Sequence, residues 1–409
     1  MIPVDFFVIG YLMIIALSLL LVSGIASFVH RQRKLQLIIS TGLFTVVAVT
    51  SIALLLYAQD TQLLNLFNIY PFSMLFVALF SVAFMLINIL SYDYSDDYLS
   101  FSLLLGFVAL GTFSVAMANS FITILLGIEL VSVPTAFMIM INGKQYVEAA
   151  VKLFILAAIG ITLIAFAIAL IFPYDPGLYL VPLLSTPGLS GSYLTTLALL
   201  LFIAGLAFDA SLFPFNLWVP DVYSGSPANI TALLAGINKK VAFVALFEIL
   251  FLSLFQFIGI FSLVFQVLAI FTMFFGNIVA LVQNNVKRLF AYSAISQAGY
   301  IALGFAAGTA YGISASIFQI VAHTFMIIGT FAIILWLESK NINTIQDYNG
   351  LGSRNKFMAF SLTIFMLSMI GIPPLIGFVG KTGNASGKYV QSHLHFEIRK
   401  DGEPVDPRA

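Results

Sequence analysis

Several ionisable side chains lie inside strongly hydrophobic stretches of this sequence. Glu129 occurs in LLGIELVSVP, Asp209 in LAFDASLFPF and His323 in IVAHTFMI. A charge near the middle of a bilayer costs about 2.5 to 3.5 kcal/mol or more, so an ionisable residue there marks an ion pathway or a buried polar partner. The residues that could carry protons in this way are Glu129, Lys152, Asp209, Lys239, Lys240, Glu248 and His323.

Structural roles without proton transfer stay open for three of these residues. Lys152 and Lys240 could extend their charged ends to a membrane interface while their alkyl chains stay in the apolar layer. His323 could form a hydrogen bond with a neighbouring helix. In those cases the side chain would anchor a helix instead of conducting protons.

The composition indicates a membrane protein. Hydrophobic residues make up 61% of the 409 residues and charged residues only 8%, whereas a soluble domain carries about 25% charged residues. The mean hydropathy is +1.07. The formal net charge of zero gives no support for a nucleic-acid surface.

Redox and nucleotide chemistry have no visible ligands in this sequence. It contains no cysteine, which excludes disulfides and iron–sulfur clusters held by thiolates. It also lacks a Gly-x-Gly-x-x-Gly fingerprint and a Walker sequence. We therefore expect no cofactor in this chain, and any electron transfer is expected on other subunits.

Hydrophobic runs long enough to cross a membrane recur along the chain. About 20 residues are needed to cross a hydrocarbon layer of roughly 30 Å. Span 1 has no basic stretch before it and no small-residue cleavage site after it, so it is predicted to be a retained helix and not a signal peptide. The sequence thus predicts an all-α polytopic membrane protein with twelve spans, numbered in chain order as 4-29, 35-57, 70-90, 98-117, 120-141, 146-171, 192-218, 228-255, 259-283, 289-307, 312-337 and 357-379.

Basic loop residues predict the orientation, because loops rich in Lys and Arg stay on the cytoplasmic side. Alternate loops on one side hold all the basic loop residues before Lys381, and the opposite loops hold none. We therefore predict a multi-pass protein of a prokaryotic plasma membrane, with the N-terminus and the C-terminal tail on the outer side. The basic residues of the inner side are Arg31, Arg33, Lys34, Lys144, Lys287, Arg288, Lys340, Arg354 and Lys356.

Prolines interrupt two of the predicted spans. Pro214 lies late in span 7, within SLFPFNLWVPD, and Pro373 and Pro374 lie within span 12, in GIPPLIG. A proline inside a helix removes a backbone donor and clashes with the preceding turn, so both helices should be broken. Broken helices at corresponding places in two repeats point to an ion site.

The two breaks are five helices apart, which predicts two repeated five-helix units. The second unit is incomplete, because the hydrophobic pattern stops after span 12. The chain then divides into N-terminal spans (1-97), a first repeat (98-255), an incomplete second repeat (259-380) and a polar tail (381-409).

Four longer stretches of the sequence resemble one known family. They are LLGIELVSVP, FPFNLWVPDVYSGSP, QNNVKRLFAYSAISQAGYIALG and GLGSRNKFMAFSLTIFMLSMIGIPPLIGFVGK. These stretches resemble the antiporter-like membrane subunits of respiratory complex I, and WVPDVYSGSP is closest to the form found in subunit N. The resemblance covers about residues 1-381.

The resemblance implies a proton-translocating subunit with inverted repeats and no redox centre, driven by quinone reduction in partner membrane subunits. By motif, Glu129 corresponds to the family's fifth-helix glutamate, Lys239 to its eighth-helix lysine and Lys381 to the lysine of the twelfth helix. The family's seventh-helix lysine falls on Asp209, which reverses the charge beside the break. Lys152 or Lys239 could then replace that lysine as the partner of Glu129.

The mechanism implied by the resemblance uses charge to move protons. Desolvation favours a neutral lysine, whereas a nearby carboxylate favours the ammonium form. A change of charge at Glu129 would therefore switch a lysine between holding and releasing a proton, and successive lysines, bridged by water and His323, would pass protons along the bilayer midplane. A subunit of a multisubunit cation/proton antiporter or of a membrane-bound hydrogenase is the alternative within the same fold.

The polar tail resembles a second family. GKTGNASGKYVQSHLHFEIRKDGEPVDP is similar to the C-terminal end of lysostaphin-type zinc endopeptidases, which implies that His395 would bind zinc and His393 would assist catalysis. Catalytic zinc needs three protein ligands, and the upstream His-x-x-x-Asp pair of that family is absent from the sequence. We predict a β-like tail without a metal site, and a membrane-anchored zinc endopeptidase is the other class of function.

Since the second repeat lacks its last helices, we expect the chain to insert into the membrane without completing a proton path.

Overall fold

The computed structural model describes residues 32–57, 61–63, 66–95, 97–180, 193–377, 399–400 and 403–404. Long helices make up most of these residues. The helices before the first break are α1 (Arg33–Tyr57), α2 (Pro71–Ser91), α3 (Tyr98–Ala116), α4 (Phe121–Ile141), α5 (Val147–Ile171) and α6 (Tyr193–Asp209). Those after the break are α7 (Trp218–Ser224), α8 (Ala228–Leu233), α9 (Lys239–Phe247), α10 (Ile258–Ala280), α11 (Val286–Ala307), α12 (Ala310–Glu338), α13 (Leu351–Arg354) and α14 (Lys356–Ile370).

Shorter elements connect and interrupt these helices. The π-helical segments π1 (Leu234–Asn238) and π2 (Glu248–Ser253) follow α8 and α9 and join them into one continuous helix, called here the central span. Single 3₁₀ turns occur at Lys144–Tyr146, Phe215–Leu217, Phe255–Phe257 and Ile345–Tyr348. Two antiparallel strand pairs are β1 (Thr61–Leu63) with β2 (Phe67–Ile69), and β3 (Arg399–Lys400) with β4 (Glu403–Pro404).

The prediction of an all-α polytopic membrane protein is confirmed. Nine helical segments of the described residues are long and apolar enough to cross a membrane, and the shorter α6 and α14 are apolar as well. Spans 2 to 12 each coincide with such a segment, whereas span 1 lies outside the described residues. Spans 7 and 12 are interrupted after Asp209 and Ile370, at the two groups of prolines.

Glycines bring α5 and α6 into close contact. A methyl group on Gly160 would lie 3.0 Å from the carbonyl oxygen of Gly205, and one on Gly205 would lie 2.7 Å from the carbonyl oxygen of Gly160. Such pairs of small residues allow membrane helices to approach until their backbones touch. The contact fixes the last turn of α6, where Asp209 lies.

The break in span 7 satisfies its exposed backbone groups through neighbouring side chains. The chain is non-helical from the end of α6 through Pro214. The indole N–H of Trp218 donates a hydrogen bond to the carbonyl oxygen of Phe208 over 3.1 Å, and the N–H of Phe213 donates to Oγ1 of Thr272 in α10 over 2.9 Å. Irregular backbone at membrane depth is tolerated only where protein or water satisfies it.

The second break follows α14 directly. Gly371 has a φ of 91°, a left-handed conformation that ends the helix and that favours glycine. Pro373 and Pro374 lie in the turn that follows. The side-chain amide of Gln297 in α11 donates to the carbonyl oxygen of Met369 over 2.9 Å, so α11 satisfies one of the last carbonyls of α14.

The β1–β2 hairpin lies at the membrane side opposite the basic loops. The N–H of Asn68 donates to the carbonyl oxygen of Met117 over 2.7 Å, and the N–H of Asn119 donates to the carbonyl oxygen of Leu66 over 2.9 Å. These bonds attach the hairpin to the connection between α3 and α4. The first turn of α2, which follows the hairpin, is therefore held in a defined position.

A capping box stabilises the loop between α12 and α13. The hydroxyl of Thr344 and its N–H donate to Oδ2 of Asp347 over 2.7 Å and 2.8 Å, and the N–H of Asn343 donates to the same oxygen over 3.2 Å. The hydrogen bond from the Thr344 hydroxyl has the largest effect on Asp347, and the bonds from the two N–H groups add to it. Together they hold the pKa of Asp347 below its usual value. Hydrogen bonds to a carboxylate favour its charged form.

Acid is expected to open this loop. Because the pKa of Asp347 is lowered in the folded protein, the stabilisation from its carboxylate is present above the unfolded pKa of about 3.9 and is lost as the pH falls through the lower folded value. Protection of the amides of 343–347 against hydrogen exchange should therefore fall below about pH 4, and Asp347→Ala should remove it at neutral pH. Equal protection in the variant and the wild type would refute this assignment.

Three predicted residues lie outside the described residues, namely Lys381, His393 and His395. Of the tail, the structure describes only β3 and β4, where Lys400 is opposite Glu403. The division of the chain into 1-97, 98-255, 259-380 and 381-409 stays a prediction.

Candidate functional site

The central span is the most thoroughly buried of the membrane-crossing segments that the structure describes, and it carries three of the predicted site residues. Lys239, Lys240 and Glu248 are 2%, 1% and 1% exposed. Lys239 follows π1 directly, and Glu248 is the first residue of π2. Since π-helical turns inside α-helices occur frequently at functional sites, both interruptions support a functional role for these neighbouring groups.

Lys239 lies against an aromatic ring. Its Nζ is 5.1 Å from the centroid of the Tyr223 ring. Neither this Nζ nor the hydroxyl of Tyr223 has a hydrogen-bond partner among the described residues. A desolvated cation over an aromatic face gains about 2 kcal/mol, so the ring can hold the ammonium group while its N–H groups stay available to water.

Lys240 and α12 both contact π1. The Nζ of Lys240 donates to the carbonyl oxygen of Ala235, so Lys240 is anchored inside the protein and does not reach a membrane interface. On α12, the hydroxyl of Thr324 donates to the carbonyl oxygen of Gly236 over 3.3 Å. The adjacent His323 is buried at the same level of α12.

A small, mainly apolar cavity lies between α4, α5, α6, α7 and the central span. It has a volume of about 20 Å³, and Ser132, Asp209 and Asn238 contribute its polar lining. Oδ2 of Asp209 and Oδ1 of Asn238 are buried and accept no hydrogen bond within the described part of the chain, while Nδ2 of Asn238 donates to Thr135 in α4 over 2.9 Å. A cavity of this volume with three polar side chains in its lining accommodates one water molecule, which would donate to such oxygens.

Glu129 is half-buried near the middle of α4. None of the ion pairs between described residues involves Glu129. Neither Lys152 nor Lys239 is therefore a direct partner of Glu129, although the sequence left both possible. Glu129 follows Ile128, which lines the same cavity as Asp209, so the two acids lie in one region with the buried lysines of the central span.

Glu248 is bonded to a tyrosine from another helix. The hydroxyl of Tyr70 is 2.8 Å from both carboxylate oxygens of Glu248. The Tyr70 ring stacks on Phe72 with the ring centroids 5.7 Å apart, and Phe72 meets the edge of Phe247 at 5.7 Å. Aromatic rings thus pack beside the buried carboxyl group.

Lys152 does not belong to this buried group. Its Nζ is 2.8 Å from Oε1 of Glu148 and 3.3 Å from Oδ2 of Asp221, and its side chain is 40% exposed. Oδ1 of Asp221 also binds Nη1 of Arg288 over 2.7 Å. The structure therefore places Lys152 in an ion-pair group near the basic loops, which agrees with the interface alternative and differs from a position in the apolar interior.

A second ion pair joins three helices on the same side. Nζ of Lys287 is 2.5 Å from Oε1 of Glu338 and donates to the carbonyl oxygen of Ser226 over 2.8 Å. Oε2 of Glu338 accepts from the N–H of Ala228 over 3.1 Å. A carboxylate at the start of a helix satisfies a donor that has no intrahelical partner, so Glu338 caps α8.

Several interacting residues were not found from the sequence. Asp221 and Tyr223 lie in WVPDVYSGSP, where two polar side chains in an apolar stretch were the available signal. Tyr70 and Glu338 meet partners far away along the chain, Glu248 and Lys287. No local pattern predicts such contacts.

Buried acids and bases in an all-α membrane protein with two interrupted spans are typical of antiporter-like membrane subunits. A profile described as "NADH:quinone oxidoreductase/Mrp antiporter, TM" matches residues 118–390. The chain belongs to this family.

Two relatives and one solved structure illustrate the similarity. NADH-quinone oxidoreductase subunit N of Trichlorobacter lovleyi is 34% identical over 339 residues, which cover 79% of this chain and 69% of that protein. F(420)H(2) dehydrogenase subunit N of Methanosarcina mazei is 34% identical over 341 residues, with the same shares of 79% and 69%. A chain of respiratory complex I from Thermus thermophilus, solved with bound aureothin, is 26% identical with a TM-score of 0.77, covering 90% of this chain and 81% of that chain.

Proposed function

We propose that this chain is the N-type membrane subunit of a complex I-like redox-driven proton pump. Membership of the NADH:quinone oxidoreductase/Mrp antiporter family and the similarity to subunit N proteins support this proposal. The observation that carries it is the central span, on which buried Lys239 and Glu248 each adjoin a π-helical segment. Quinone reduction in partner subunits would supply the energy, and this chain would hold no redox cofactor.

The buried acids and bases would move protons by exchanging charge. Protonation of Glu129 would remove a negative charge from the region of Asp209, and the change would alter how readily Lys239 and Lys240 hold their protons. The cavity water between Asp209 and Asn238 would carry protons towards the central span. His323 and Glu248 would continue the path, Lys152 would lie at its surface end, and Lys381 stays a predicted member.

Asp209 gives the proposed path a different charge balance from that of the family pattern. Its carboxyl group ends α6, where a negative charge opposes the helix dipole. Such a local conflict is typical of functional sites. We propose that Asp209 acts as a proton acceptor at the position where the resemblance implies a lysine.

The proposal places the protein in a prokaryotic plasma membrane with the basic loops on the cytoplasmic side. Other membrane subunits of the assembly would cover part of its apolar surface. A subunit of a cation/proton antiporter or of a membrane-bound hydrogenase remains the alternative within the fold. The tail is still predicted to hold no metal, and stoichiometric zinc in the purified protein would instead support the membrane-anchored endopeptidase.

Glu129→Gln tests the proposed function. The substitution keeps the size and the hydrogen-bonding capacity of the side chain but removes its charge, so proton pumping by the assembled complex should slow about tenfold or more. The measurement is the rate of proton uptake into inverted vesicles during quinone reduction, in a strain whose only subunit N carries this sequence followed by the last helices of a family member, because this stretch alone is not expected to complete a proton path.

Asp97→Asn is the matched control. Asp97 caps α3 in an exposed loop, with Oδ1 accepting from the N–H of Ser100 over 3.2 Å, and asparagine caps helices equally well. This variant should pump like the wild type. Unchanged pumping in Glu129→Gln, with normal assembly, would rule out the role assigned to Glu129.

A further inference from the structure

We propose that Tyr70 and Glu248 form the proton-release gate of the path, at the membrane side opposite the basic loops. The inference rests on the proposed function. It assigns to Tyr70 a role as a proton-relaying residue, and it gives the path an exit at the end of the central span.

The topology places this pair at one end of the path. The start of α8 is bound to Glu338, close to the basic loops, so the central span ends at π2 on the other side. Tyr70 directly precedes α2. The last residue of α2, Ser91, accepts a hydrogen bond from the side-chain amide of Asn229 in α8 over 3.2 Å, so the end of α2 lies beside the start of the central span. The first turn of α2 and Tyr70 are therefore at the end where π2 lies.

Glu248 is the last buried ionisable group along the central span. It lies nine residues after Lys239, or roughly 13 Å along a helix, a distance that needs water or another group between the two. None of the ion pairs among the described residues includes Glu248. Its carboxyl group can therefore alternate between the charged and the neutral form without breaking a salt bridge.

Aromatic rings limit the access of water to this carboxyl group. Phe247 precedes Glu248 and lies 4.4 Å from the ring centroid of Phe305 and 5.7 Å from that of Phe72. All three phenylalanines are buried. The hydroxyl of Tyr70 is the hydrogen-bond donor that the structure gives to the carboxylate, and the Tyr70 side chain is only partly buried. The phenol thus joins the buried acid to the surface.

The proton balance of the gate is simple. When Glu248 is charged, the phenol O–H of Tyr70 donates to the carboxylate. When a proton arrives, the carboxyl O–H donates to the phenol oxygen. Release moves the carboxyl proton to the Tyr70 oxygen as the phenol's own proton passes to water outside, so Tyr70 ends unchanged and Glu248 returns to its carboxylate.

Tyr70→Phe tests this gate in the assembled complex. The variant retains the ring that stacks on Phe72 and removes only the hydroxyl. Because a hydrogen bond to a charged group contributes roughly a tenfold or larger factor, proton pumping should slow about tenfold. Tyr98→Phe is the control, since Tyr98 is also buried and its hydroxyl donates to Asn88 over 2.9 Å, where α3 begins next to the end of α2. This variant should pump within about twofold of the wild type.

Infrared difference spectroscopy gives a readout that is independent of pumping. The carboxyl band of Glu248, identified by its loss in Glu248→Gln, should shift in Tyr70→Phe and stay in place in Tyr98→Phe. If Tyr70→Phe does not assemble, Glu248→Asp replaces it, because the shorter side chain withdraws the carboxyl group from the phenol and should slow pumping to a similar extent.

The outcomes separate the gate from the proposed function. Slow pumping in Glu129→Gln together with wild-type pumping and an unshifted band in Tyr70→Phe would overturn the gate alone. Wild-type pumping in both variants would overturn the proposed function as well.

Discussion

Replacement of Lys239 by methionine in the assembled complex is expected to slow proton pumping by at least about a hundredfold. Lys239 is 2% exposed, and its Nζ lies over the ring of Tyr223 without a hydrogen-bond partner in the described structure. Methionine has a similar length and fits a helix, but it cannot hold a proton. The central span should therefore still form while the proton transfer through this position stops.

The matched control is Lys340→Met. Lys340 is exposed in a basic loop, and its Nζ lies 3.9 Å from the centroid of the Trp336 ring. Both substitutions remove a lysine ammonium from an aromatic face, but only Lys239 is buried on the central span. The rate of proton uptake should be within about twofold of wild type for Lys340→Met. Equal rates in the two variants would count against Lys239 as a proton carrier.

Removal of the Glu338 carboxylate is expected to lower the stability of the fold by about 2 to 3 kcal/mol. The loss of one partner of a fully buried ion pair costs about 3 to 5 kcal/mol, because a charge stays buried without compensation. Here the side chain of Lys287 is 9% exposed and that of Glu338 is 24% exposed, so water screens part of the loss. Glu338→Ala also leaves the N–H of Ala228 without its acceptor.

Glu148→Ala provides the comparison for this effect. Glu148 forms an ion pair of similar length with Lys152, 2.8 Å, but its side chain is 79% exposed, and surface pairs contribute only about 0 to 1 kcal/mol. Thermal denaturation of the solubilised complex should show a clear loss for Glu338→Ala and little change for Glu148→Ala. Amide exchange at 226–230 should increase in the first variant only. Similar stability of both variants would mean that the Glu338 pair has no special structural role.

The sequence predicted the helices well because the signal for a membrane span is long and local. A run of about 20 apolar residues requires a helix in lipid, and prolines within it require a break. The depth of each ionisable side chain in the membrane was harder to predict. Lys152 lies within a hydrophobic run, but the structure pairs it with Glu148 and Asp221 near the basic loops, since hydropathy does not show how far a side chain reaches.

The contacts that give the site its chemistry were hidden for a different reason. Glu248 was identified as an unusual acid, but its partner Tyr70 precedes it by 178 residues. The cavity between Asp209 and Asn238 depends on five helical segments that meet only in the folded protein. Composition and spacing therefore located the ionisable residues, and tertiary packing determines which of them can exchange protons.

In the proposed function, protons pass through the buried groups of this chain. Its most direct test is the number of protons pumped per electron pair in liposomes that contain the purified complex, with Glu129 and Lys239 intact or replaced by Gln and Met. We expect a lower ratio for the doubly substituted complex at matched rates of electron transfer. An unchanged ratio would show that the protons take another route.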